Sequence, residues 1–139
     1  MGIKFSFKNI IVIISLLLIV SGGCSISKER KEQKIEGTWE MVNVWDPSDP
    51  DKEQWRFDKV EDGIGTVTWI KIVNGTSTVS DNGSYSIEAK TFSSYLNLAY
   101  GVSSHGLSGR WEIAKLNKEI LIITQKSGGI ITREFFKVD

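Results

Sequence analysis

The chain has 139 residues, with 17 Lys and Arg balanced by 17 Asp and Glu, one His, one Cys and five Trp. Balanced charge gives no electrostatic case for a nucleic-acid partner, and a lone cysteine rules out internal disulfides and thiolate metal clusters. A length of this order suits one domain with one hydrophobic core, which packing alone must hold together; the tryptophans supply large apolar surface for that purpose.

The N-terminal segment reads as an export signal. Lys4 and Lys8 precede an apolar run from Ile10 to Val20, broken only by Ser15, and the small residues Ser21, Gly22 and Gly23 lead to Cys24. A basic start, an apolar middle and small residues at the end make a secretory signal peptide. The run is shorter than the roughly 20 apolar residues that span a bilayer, and no basic stop-transfer flank follows it. Met1-Gly2-Ile3-Lys4-Phe5-Ser6 also fits an N-myristoylation pattern, which the apolar run behind it makes coincidental.

Gly22-Gly23-Cys24 resembles the lipobox of bacterial lipoproteins, with Ser21 where that pattern prefers Leu. The resemblance implies residues 1–23 as a cleaved signal peptide and Cys24 as the lipidation site, carrying fatty acyl chains such as palmitate. Buried acyl chains contribute about 0.8 kcal/mol per methylene, and stable anchoring needs more than one chain. The implied address is the bacterial cell envelope: outer membrane, periplasmic face or cell surface. The alternatives are a free thiol after ordinary secretory cleavage and an uncleaved anchor. Residues 24–35 form the next unit. Ser25 to Lys34 is dense in charge, with only Ile26 apolar, and is expected to be a solvated tether.

From Glu36 to the end, residues 36–139, short alternating segments take over. Gly37 to Trp45, Trp55 to Val60, Gly65 to Val73, Ser84 to Ala89, Phe92 to Tyr100, Arg110 to Ala114, Glu119 to Gln125 and Gly129 to Val138 read as strands. Turn signals stand at Glu61-Asp62-Gly63, Asn74-Gly75, Asn82-Gly83, Leu116-Asn117-Lys118 and Ser127-Gly128-Gly129. No helix of ordinary length is expected. The fold class is all-β, a small antiparallel up-and-down barrel of about eight strands, with a β-sandwich as the alternative.

Ile35-Glu36-Gly37-Thr38-Trp39-Glu40 resembles the opening strand of lipocalins and related calycin barrels, whose short signature is Gly-x-Trp. The order of the later strands is similar to that of small lipocalin-like lipoproteins of the Bacteroidetes group. The resemblance implies that Trp39, introduced by Gly37, plugs the closed end of a barrel. It also implies that an Arg or Lys near the last strand crosses the ring, with Arg133 the candidate and Arg110 the runner-up. The domain is shorter than a classical lipocalin and lacks its C-terminal helix and disulfide, and a small barrel of about eight strands is either filled by its own side chains or holds one small ligand.

No catalytic set emerges. His105, the only histidine, lies in an expected loop and cannot join a multi-histidine metal site, and no nucleophile-elbow sequence accompanies it. Asp46, Asp49, Asp51 and Glu53 are hard oxygen donors but lack the spacing of a calcium loop, so they read as a solvated loop over the mouth. No metal or cofactor is implied. Asn74-Gly75-Thr76 and Asn82-Gly83-Ser84 match glycosylation sequons and read as hairpin turns. Trp69, Tyr85, Tyr100, Trp111 and Phe135 are the candidate lining of an apolar ligand pocket, or else the packed core that any barrel needs. The leading expectation is non-catalytic binding of a small apolar ligand by a membrane-anchored barrel. The alternative is an envelope protein-interaction module, accessory subunit or inhibitor, with a filled barrel.

Overall fold

The computed structural model describes residues 26–99 and 107–139 with their side chains, together with the backbone of Tyr100. Residues 1–25 and 101–106 and the Tyr100 side chain lie outside the described residues, and with them the segment expected to be a signal peptide, Cys24 and His105.

Eight antiparallel strands close into an up-and-down barrel of the lipocalin type: β1 (Gly37–Met41), β2 (Lys52–Phe57), β3 (Gly65–Val73), β4 (Thr76–Ala89), β5 (Ser94–Tyr100), β6 (Gly109–Leu116), β7 (Ile120–Gln125) and β8 (Ile131–Lys137). Each strand pairs with its sequence neighbour, and β1 pairs with β8 through Trp39↔Lys137, Glu40↔Phe136 and Met41↔Phe135. That last ladder decides against a sandwich, because closure leaves no edge for a second sheet to cover.

Period-two alternation drives the closure. In β7, Leu121, Ile123 and Gln125 are buried while Ile120, Ile122 and Thr124 are only half-buried. In β2 the same rule turns Trp55 and Phe57 inward and Arg56 outward. The hairpin between β3 and β4 is set by Asn74 (φ 50°) and Gly75 (φ 76°), the two successive left-handed residues of a type I′ turn, whose twist matches the flanking strands.

Three local expectations are corrected. Asn82-Gly83 is not a turn but lies inside the long β4, where Gly83 pairs with Val67 on one side and Tyr100 on the other. The β3–β4 register shifts a little earlier, where Trp69 pairs with Asp81 and Ile70 with Val79, leaving Ser80 as the extra residue of a bulge. The first strand ends at Met41, before Trp45. Instead of a featureless tether, residues 26–35 form a helix, α1. Its Lys, Glu, Arg and Gln residues are strong helix formers, and Lys28 and Glu32 pair one turn apart at 3.6 Å.

The core is aromatic. Trp39, Trp55, Phe57, Tyr85, Trp111 and Phe135 are buried, joined by Leu96, Leu121 and Ile123. Trp55 meets Phe135 at 4.8 Å between ring centroids, and Phe57 meets Tyr85 edge-to-face at 5.0 Å, geometries that aromatic quadrupoles favour.

Candidate functional site

The two ends of the barrel differ. At the end where β1 begins, α1 delivers Ile35, fully buried, and the Trp39 indole Nε1 donates to the Ile35 carbonyl at 2.7 Å. The Lys137 ammonium stands 5.2 Å from the Trp39 ring centroid and also donates to the Glu36 carbonyl. Gly37 holds φ 116°, and a Cβ there would lie 2.7 Å from the Lys137 Cε. The glycine is thus required both by a left-handed backbone and by the lysine stem crossing it. This end is closed by a plug, and Gly-x-Trp describes its parts.

The cation over Trp39 is Lys137, not Arg133 or Arg110. Register is the physical reason: Lys137 is the ladder partner of Trp39, whereas Arg133, four residues earlier, lies about 13 Å away along the strand at roughly 3.3 Å per residue. Arg110 instead stacks on Tyr95 at 3.7 Å and pairs with Glu88 at 2.9 Å on the outer face.

At the opposite end the loop between β1 and β2 frames a groove of about 420 Å³, walled by Met41, Val42, Val44, Trp45, Ile72 and Val73 among apolar residues. Its charged walls are Asp49, Asp51, Glu53, Lys52, Lys71 and Arg133. Five of these six have partners. Asp49 accepts from the Asn43 amide and the Asp51 backbone, Asp51 accepts from the Asn74 backbone, and Glu53 accepts from the Trp55 indole. Lys52 pairs with Glu40 at 2.9 Å, and Lys71 stands 4.8 Å over the Trp69 ring.

Arg133 is the exception. Its Nε is buried with no hydrogen-bond acceptor, a state that costs about 1–3 kcal/mol for an ordinary buried donor and more for a charged one. The β8 alternation causes it: Arg133 and Phe135 share the face that Phe135 carries into the core.

The loop over the mouth is held by its own side chains. Asn43 Oδ1 accepts from the backbone of Trp45 and Asp46, and Asp46 accepts from both the backbone and the hydroxyl of Ser48. The Ser48 hydroxyl, then its backbone N–H, hold the Asp46 carboxyl below the usual carboxylate range. The acids of this loop are thus occupied in turn-making, and among the described residues no group of three His, Cys, Asp or Glu is placed to hold a metal ion.

Trp69, Tyr85, Trp111 and Phe135 lie in the core, at most 3% exposed. None belongs to the wall of the mouth groove. The polar tips of two of them are used structurally: Tyr85 donates to the Asp58 carbonyl at 2.6 Å and Trp111 to the Leu107 carbonyl at 2.9 Å. Sequence reasoning passed over Met41, Val42, Val44 and Ile72 as groove walls and read Arg133 as part of the plug. The available signal was the parity of Arg133 with Phe135 at i and i+2.

The architecture is consistent with the lipocalin and calycin fold. No protein-family model, curated protein or solved structure matches the chain.

Proposed function

We propose that this chain is a non-catalytic, lipid-anchored binding protein of the bacterial cell envelope that takes a small, mainly apolar molecule at the open mouth of its barrel. The observation that carries the reading is the groove of about 420 Å³ lined by Met41, Val42, Val44, Trp45, Ile72 and Val73, within the size range of small-molecule sites. One end is plugged by Trp39 and α1, so a ligand has the other end to enter. Because a fold alone does not assign a function, the proposal rests on this groove. The anchoring part rests on the apolar run Ile10 to Val20 and on Cys24.

The test is mass spectrometry of small molecules that co-purify with the protein from its native envelope, with a Met41→Asp variant as control. A small apolar species retained by the natural chain and lost from the variant is the expected result. Equal small-molecule content in both would count against the groove as the binding site.

A second reading has its own observation. Trp45 is 96% exposed and Val44 78% exposed on the groove rim, and clustered exposed apolar residues mark interaction surfaces. If the mouth binds a protein, a photo-crosslinker at position 45 should give one defined protein adduct in intact cells.

A further inference from the structure

We propose that the ligand of the mouth groove is an amphipathic organic acid whose carboxylate pairs with Arg133. This inference rests on the carrier reading and names the class of molecule that the groove would select. Every other charged side chain in the groove wall has a partner within the protein. The guanidinium alone does not: among the described residues Arg133 has no hydrogen-bond, ion-pair or ring partner, and its Nε is fully buried.

A guanidinium without a partner in the protein is open to water or to an anion, and of the two only an anion also matches its charge. The guanidinium fork matches a carboxylate with two parallel N–H···O bonds. The rest of the wall supplies the amphipathic half. Met41, Val42, Ile72 and Val73 offer apolar surface beside the charge, and Trp45 stands on the rim.

The polarity of the site also argues against a cationic ligand. Asp49, Asp51 and Glu53 accept from the Asn43 amide, the backbone N–H groups of Asp51 and Asn74 and the Trp55 indole. Those contacts make the carboxylates part of the loop's framework, whereas the Arg133 donor is uncommitted. Asp81 keeps one buried carboxylate oxygen without a hydrogen bond, but it is not in the groove wall.

The probes are phenylbutyrate and phenylbutanol, which share a ring and a chain and differ in the charged end. Binding is measured by calorimetry on the full chain in lipid nanodiscs, with the heat of empty nanodiscs subtracted. Phenylbutyrate should bind about tenfold or more tightly than phenylbutanol, the difference expected of a charge-assisted bond. Arg133→Gln should bring that ratio to about one while phenylbutanol binding stays within about threefold. Lys71→Gln should leave the ratio standing.

Equal binding of acid and alcohol by the natural chain overturns the carboxylate assignment and leaves the carrier reading intact. Loss of the ratio in Lys71→Gln with its retention in Arg133→Gln overturns the role of Arg133. If neither probe binds, the organic-acid assignment is overturned, while the binding reading stands or falls separately on the small molecules that co-purify with the protein. The unfolding midpoint of Arg133→Gln, unchanged or raised, separates a lost contact from a lost fold.

Discussion

At the level of single residues, Trp39 and Trp45 are the instructive contrast. Trp39 is fully buried with its indole N–H satisfied, and Trp39→Ala should destabilise the domain by about 3–5 kcal/mol in denaturant unfolding. A loss below about 1 kcal/mol would remove it from the plug. Trp45 is 96% exposed, and Trp45→Ala should change stability by less than about 0.5 kcal/mol while weakening whatever occupies the mouth. Gly37→Ala belongs with Trp39, since φ 116° at that position strains any L side chain; it should cost about 1–3 kcal/mol. Gly37 and Trp39 stand out in the sequence because a glycine that must hold a left-handed backbone precedes a large ring that is buried. The cation over that ring does not, because choosing between Arg133 and Lys137 depends on the β1–β8 register, which joins the two ends of the chain and leaves no local trace.

At the level of elements, the strands were readable wherever one face is buried. Tyr85 with Ile87, Leu96 with Leu98, and Trp111 with Ile113 alternate in the sequence, and five of these six residues are buried in β4, β5 and β6, with Ile113 packed against the core. Where both faces are polar the signal vanished: residues 76–80 of β4 are exposed throughout, so Asn82-Gly83 passed for a turn. Helix α1 was missed for the opposite reason. Its charge density reads as solvated spacer, while its one fully buried contact, Ile35, sits at its last residue.

The chain's last described residue adds a further tie to β1. The Asp139 carboxylate accepts from the backbone and hydroxyl of Thr38, which holds its carboxyl below the usual carboxylate range. A depressed carboxylate contributes stability above its unfolded pKa of about 3.9, lost as pH falls through the lower folded value. The group is solvent-exposed, so the contribution is discounted to less than about 1 kcal/mol. Asp139→Asn should therefore be less stable than the natural chain at about pH 7, with the gap closing by about pH 2. A gap that stays constant across urea titrations at these pH values would mean the carboxylate charge contributes nothing.

At the level of the whole molecule, folding and attachment separate. The barrel closes on a core running from Ile35 to Phe135, with every strand paired on both sides, so it needs no cysteine to hold it. A lipid anchor at Cys24, as proposed, would precede α1, and α1 ends at the plug, so attachment would enter by the closed end and leave the groove at the other. Cys24→Ala should therefore abolish fatty-acid labelling and move the protein from the membrane to the soluble fraction. Its unfolding free energy should change by less than about 0.5 kcal/mol, and the groove should keep its ligand. Label that persists on the alanine variant, followed by metabolic incorporation of a radioactive fatty acid, would place the lipid elsewhere. A fall in stability beyond that margin would show that Cys24 belongs to the fold, and the division between anchor and barrel would have to be redrawn.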